Sequence, residues 1–314
     1  MSRYAWIIIV FFLSCIFIVK GVNLEQQAAG LFNYPVGITV TKGGSVYVVD
    51  SFNNRVEVFT KNGKFLFQWG GKGEGEGFFN HPTFIASNLN KEIYVVDTNN
   101  NRIQKFTADG KYILEWGKKG LGDEYLQYPQ GIAIDKEGNV YVADSDNHKI
   151  KKYTSDGKLI LCWGGKGSNP GQVRKPQGLA IDKEKGFIYV CDTGNGRVEK
   201  FSLEGEFLDC WGGPGKSQSF LLTPVAAAVG SKNLVYIIDS SKQWVIKMTP
   251  DGKPKASWGG YGTGGGEFSS PNGIATNGDG TLIYVVDSGN HRVQIFNSSG
   301  KFILQWGNWG KVVE

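Results

Sequence analysis

Residues 129–163 read PQGIAIDKEGNVYVADSDNHKIKKYTSDGKLILCW, and the fold follows from this stretch. A small apolar run, Gly131-Ile132-Ala133, stops at the polar turn Lys136-Glu137-Gly138-Asn139. A Tyr-Val-Ala-Asp run then ends at Asp144, a Ser-x-Asn turn follows, and Lys149 opens an alternating segment. Period-two alternation rich in branched and aromatic residues marks strands, and clusters of Gly, Asn, Asp and Ser mark the turns between them. At Asp156-Gly157 glycine supplies the positive φ of a tight hairpin, and a further strand closes at Trp163. The stretch predicts four short antiparallel strands.

The pattern recurs in both directions from there. Its proline stands at Pro35, Pro82, Pro129, Pro176, Pro224 and Pro271, in steps of 47 or 48 residues. Its aspartates are Asp50, Asp97, Asp144, Asp192, Asp239 and Asp287. Its closing tryptophans are Trp69, Trp116, Trp163, Trp211, Trp258 and Trp306. A four-stranded unit of this size cannot bury both faces by itself, so such units stack radially and close into a ring. The expected class is all-β, a six-bladed β-propeller with four antiparallel strands per blade, over residues 35–314. The 13 residues from each Trp to the next Pro suffice to return from an outer strand to the next inner one. Residues 22–34 are expected to form an N-terminal closure segment, because Ala29 to Tyr34 resemble the end of such a return.

Composition agrees with that plan. The 314 residues include 45 glycines, 13% aromatics and 40% apolar side chains, which excludes a disordered chain. The net charge of +5 is spread along the sequence with no run of five or more like charges, so it does not name nucleic acid as a partner. Residues 1–21 read as an export signal, with Arg3 before an apolar core from Ala5 to Val19 and small residues ahead of a cut near Gly21. The alternative is an uncleaved signal anchor, although a 15-residue core spans only ~22 Å of a ~30 Å hydrocarbon layer. The expected location is therefore secreted, periplasmic or cell-surface, with membrane contact only through a retained anchor.

The repeats resemble the NHL family, whose units carry Pro-x-Gly-Ile-Ala-Val-Asp, Tyr-Val-Ala-Asp-Ser-x-Asn-His-Arg-Ile and a Trp-Gly ending. The resemblance covers Pro35 to Gly307 and includes Asn147-His148 and Asn290-His291. It implies a binding or scaffolding propeller. Propellers similar to it also include a lyase that completes peptide amidation, streptogramin lyases and lactonases. In the first of these, histidines just after the repeat proline hold zinc over the channel. The matching residues here are Val36, Thr83, Gln130, Gln177, Val225 and Asn272, and none is histidine.

A residue present in every blade is explained by blade geometry, whereas an active site occurs once per ring. The six aspartates are accordingly assigned a structural role, capping the turn that follows each of them. Asp239 differs, because Trp244 stands where other blades have Arg or Lys. His148 and His291 occupy equivalent turns three blades apart and cannot share one metal. No catalytic residue, metal site or cofactor is expected. The six post-proline residues are the candidate ligand contacts, since they begin the innermost strands and vary between blades. The functional expectation is an exported scaffold that binds a protein, peptide or carbohydrate, and no nucleic acid, through its end-face loops and central funnel. The alternative is a secreted metal-dependent lyase or lactone hydrolase acting at the channel.

Overall fold

The computed structural model describes residues 30–213 and 221–310. The leader, residues 22–29 of the closure segment, residues 214–220 and residues 311–314 lie outside the described residues. The protein is a ring of six sheets, each made of four consecutive antiparallel strands. Blade 1 consists of Pro35–Val40, Val46–Asp50, Arg55–Phe59 and Phe65–Gly70, from the axis outward. Its register, Pro35 opposite Asp50 and Asp50 opposite Arg55, returns in the other blades wherever the proline and aspartate are paired.

Strand alternation sends successive side chains to opposite faces of each blade, and every face meets a neighbour. The core is therefore six apolar clusters, one between each pair of adjacent blades. Each closing Trp lies against the hairpin glycine of the next blade. A Cβ added at Gly110 would come within 2.8 Å of the Trp69 ring, and one added at Gly63 within 2.6 Å of Trp306. The second contact joins blade 6 to blade 1. The Tyr284 hydroxyl adds to it by donating to Lys61 O across the same seam at 3.3 Å.

Ring closure reuses the linker between blades. Lys72 bridges Phe79 in parallel, and the pairs Lys119–Leu126, Lys166–Val173 and Tyr261–Phe268 repeat that geometry. Between the last blade and the first, Leu31–Phe32 pairs in parallel with Asn308–Trp309. The first and last described segments thus rebuild a sixth linker from two pieces of chain, and each blade keeps its own four strands.

The aspartates reach beyond the turn after them. Asp50 Oδ1 accepts the Asn33 N–H at 2.7 Å, while Oδ2 accepts Asn53 Nδ2 at 2.7 Å and Arg55 Nε at 2.9 Å. The guanidinium opposite Asp50 draws the carboxylate back over the strand pair, so the following turn receives no side-chain cap. The same arginine donates to Leu31 O at 2.7 Å, and Arg292 likewise donates to Thr263, Gly264 and Glu267 carbonyls. The cluster therefore ties linker, turn and strand together. Blade 3 achieves this with Lys151, 2.9 Å from Asp144, while Lys149 pairs with Asp123 instead. In blade 5 Asp239 pairs with no such cation among the described residues and accepts backbone N–H groups from Leu222, Thr223 and Lys242.

A second set of bonds crosses between blades. The last residue of each turn accepts the N–H that precedes the next proline: Asn54 from His81, Asn101 from Tyr128, His148 from Lys175, Gln243 from Ser270 and His291 from Tyr34. In both histidines Nδ1 is the acceptor, which requires neutral imidazole, and burial lowers both pKa values. Gly196 fills the sixth position and has no side chain to offer.

Three outcomes follow for stability. Gly63 and Gly138 both have positive φ, +81° and +89°, but a Cβ at Gly138 meets nothing within 4 Å. Gly138→Ala should therefore lose only the left-handed backbone term, about 1–2 kcal/mol, and Gly63→Ala should lose about 1–3 kcal/mol more through overpacking on Trp306. Equal melting temperatures for the two variants would contradict the Trp–Gly lock. Burial raises the Glu199 pKa to about 7, against the lowering effect of Arg197. That group's contribution to stability is present below its unfolded pKa near 4.5 and is lost as pH rises toward 7. Blades 2 and 6 carry Gln104 and Gln294 at this position. Glu199→Gln should raise the melting temperature at pH 8 more than at pH 5. The lowered pKa of His291 has the opposite sign: its contribution is present above an unfolded value of 6.5 and is lost as pH falls through the folded value. His291→Asn, which keeps an acceptor, should reduce the loss of melting temperature below pH 6.5.

Candidate functional site

Inner strands begin at one end of the ring and finish at the other, so the two end faces differ. At the starting end lie the aspartate turns, the linkers and the residues around each proline. The residue before the proline is left-handed in five blades, with φ of 52° at Tyr34, 53° at His81, 50° at Tyr128, 47° at Lys175 and 47° at Ser270. The cross-blade N–H bond to each of these residues holds that conformation. The backbone is therefore constant around the rim while the displayed side chain changes from blade to blade.

In blades 1 and 2 those side chains form a continuous aromatic group. Tyr34 stacks on Phe52 with centroids 5.1 Å apart, and Phe52 meets His81 edge-on at 4.5 Å. The Tyr34 hydroxyl accepts Asn272 Nδ2 at 3.4 Å, and Ser51 Oγ lies 3.3 Å from His81 Nδ1. Phe52 and the neighbouring Tyr128 are exposed at 46% and 45%. Burial lowers the pKa of His81. Blade 4 replaces aromatic with basic side chains, Arg174 and Lys175, both exposed.

The post-proline residues lie just inside this rim. Thr83, Gln130 and Val225 are buried, and Val36, Gln177 and Asn272 are half-buried. The Thr83 hydroxyl meets that of Thr98 at 2.6 Å, and Asn272 Nδ2 donates to Ser270 O at 3.0 Å and Ser288 Oγ at 3.1 Å. The Gln130 and Gln177 carboxamides make no hydrogen bond to the described residues. One residue further along, glycine lets neighbouring inner strands approach closely. A Cβ at Gly131 would stand 2.0 Å from Gln177 O, and one at Gly273 2.0 Å from Val36 O. Blade 2 departs from this pattern with Phe84, which packs against the core between blades 2 and 3 and also against that between blades 5 and 6. Those clusters lie on opposite sides of the ring, so the Phe84 ring crosses the axis.

The funnel opens at the other end. The axial cavity, ≈ 170 Å³, is lined from Ile38, Ile85, Ile132, Leu179, Ala227 and Ile274 onward. It widens to a mouth of ≈ 370 Å³ among Lys42, Asn88, Lys183, Lys232 and Asp279. The post-proline residues, the candidate ligand contacts, lie at the opposite end of the axis from this cavity, and Phe84 stands between. Phe84 and the Tyr34–Phe52–His81 group escaped the sequence reading. The signal for Phe84 was present as one large residue in a column of Gly37, Gly131, Gly178, Ala226 and Gly273.

Among the described residues no three of His, Cys, Asp and Glu converge to hold a metal. His148 and His291 each commit Nδ1 to an adjacent blade. Cys191 is buried, Cys162 and Cys210 are half-buried on outer strands, and none of the three forms a disulfide among the described residues. The donor set of a zinc lyase or calcium lactonase is not assembled in this part of the chain.

Comparison with known proteins agrees with the architecture. The NHL repeat family matches at residues 32–59, 79–106, 126–153, 174–201 and 268–296, leaving blade 5 unmatched. The Caenorhabditis elegans RING finger protein nhl-1 is 52% identical over 46 residues, 15% of this chain and only 5% of that protein's length. A catalytically inactive virginiamycin B lyase from Staphylococcus aureus, solved with quinupristin, superposes with a TM-score of 0.62 at 16% identity, covering 91% of this chain and 87% of the lyase. A gluconolactonase from Xanthomonas campestris gives 0.62 at 14% identity over 84% of this chain and 90% of its own. A chain of a nidogen/laminin complex gives 0.53 at 21% over 71% and 79%. At these identities the solved structures share the fold alone. With five matched repeats and a sixth blade built to the same plan, the chain belongs to the NHL-repeat proteins as a six-bladed β-propeller.

Proposed function

We propose that this propeller is an exported binding module that takes a protein ligand on the end face around the prolines. The observation that carries the reading is the aromatic group Tyr34–Phe52–His81, in which Phe52 is exposed and flanked by two half-buried rings, displayed from a backbone that the cross-blade bonds hold rigid. Exposed aromatic side chains on a rigid frame supply contact area with little loss of conformational freedom on binding. Export rests on the charged start and apolar core of residues 1–21. A metal-dependent reaction at the channel has less support, because its ligands do not converge among the described residues and Phe84 closes the axis.

Two measurements test the proposal. Secreted material should begin near Val22 by N-terminal sequencing, and a chain that starts at Met1 in the secreted fraction would contradict cleavage. A photo-reactive amino acid at position 52 of the full chain should cross-link a protein in the cells that make it, while the same group at Lys91, on the funnel face, should not. Equal adducts from both positions, or purified protein holding one zinc or calcium per chain, would overturn the reading.

A further inference from the structure

The proposed binding face narrows the chemistry of its partner, an inference that rests on the reading above. Its rim consists of the two residues before each proline and the four of each aspartate turn. These positions carry three cations, Arg174, Lys175 and Lys242, and one carboxylate, Asp146. Lys175 Nζ stands 3.7 Å from that carboxylate, and both side chains are solvent-accessible, so the pair is loose and Arg174 beside it faces solvent. Inside the rim all six post-proline residues are uncharged. Gln130 is only 8% exposed, yet its carboxamide makes no hydrogen bond to the described residues and its polar atoms keep access to solvent, so they are open to a ligand. Gln177, half-buried in the next blade, is in the same state. The face therefore offers an aromatic platform in blades 1 to 3, two unpaired amides at its centre and positive charge in blade 4.

We infer that the partner is a protein loop with an apolar or aromatic tip followed by a carboxylate. The tip rests on Phe52 and Tyr34, the loop backbone bonds the amides of Gln130 and Gln177, and the acidic residue meets Arg174 and Lys175. An amide side chain offers a donor and an acceptor together, which matches the alternating C=O and N–H of a peptide backbone. A nucleic acid would call for a basic stripe repeated along its phosphates, whereas the rim positions carry their cations only in blades 4 and 5, and the lysines of the linkers alternate with Glu74, Glu76, Asp123, Glu124 and Glu267.

The test is selection of a displayed random cyclic-peptide library on the full chain, followed by binding measurements on Phe52→Ala and Lys175→Glu. Both residues are exposed, so melting temperatures should match the parent and any change reports the surface. Enriched peptides should pair an aromatic or large aliphatic residue with a nearby Asp or Glu. Each substitution should weaken them at least about tenfold, the size of one lost hot-spot contact. Reversing the peptide's acidic residue to Lys should restore binding to Lys175→Glu. Peptides that lack an acidic residue, or that ignore both substitutions, overturn the inference while leaving a binding module with its site elsewhere. Failure to enrich any peptide, with oligouridylate RNA or a neutral chito-oligosaccharide bound in a Phe52-dependent way, overturns both the inference and the protein-ligand reading.

Discussion

The end face depends on one buried interaction, the carboxylate that closes the second strand of each blade. Asp50 sits fully enclosed against Arg55, and burial raises its pKa despite the neighbouring guanidinium. Such a pair is not a large net source of stability, since removing two ions from water costs several kcal/mol each. Its value is positional. The carboxylate gathers a backbone N–H, an asparagine amide and a guanidinium, and the guanidinium reaches on to the linker. Loss of any one partner leaves another buried polar group exposed to the full desolvation penalty, so linker, turn and strand are held as a unit.

The ring is not uniform, and its exception is coherent. At the seam between blades 4 and 5, Gly196 removes the cross-blade acceptor and Trp244 removes the clamp cation. Trp211 there is turned: its Nε1 donates to Asp209, and its ring lies 5.1 Å from Tyr189 at 39°, where other Trp–Tyr pairs are near 6 Å and steeper. The Tyr189 hydroxyl has no partner, while Tyr47 reaches the next blade's hairpin at Ala108 O. Blade 5 is also the one the family pattern does not match.

Constant backbone and variable side chains divide the labour between stability and recognition. In five of the six blades the left-handed residue before the proline is presented in the same way whether it is tyrosine, histidine or lysine, because its N–H is bound and its neighbour's φ is restricted by the ring. Phe84 separates this face from the funnel behind it, so the two ends of the axis are chemically distinct surfaces: a rigid aromatic and amide-bearing rim at one, and a lysine-flanked mouth at the other.

Strand count, blade count and ring closure were determined by the sequence alone, because a pattern repeated six times leaves one way to bury both faces of every sheet. The spacing of proline, aspartate, hairpin glycine and tryptophan placed each strand in its order. What the sequence could not decide is where the repeated letters reach. Asp50 reaches Arg55 across the strand pair and Asn33 of the linker as well as the adjacent turn, and His291 bonds a residue 257 positions away. Tyr34 and Phe52 are brought together by the pairing of the first two strands of blade 1, and His81 joins them only because the ring brings adjacent blades edge to edge. Phe84 could be seen as an odd residue in its column, but only the closed ring shows that its side chain spans the axis and places the cavity at the far end. Local pattern is written along one chain direction, whereas the binding face is made between blades, where contacts depend on closure.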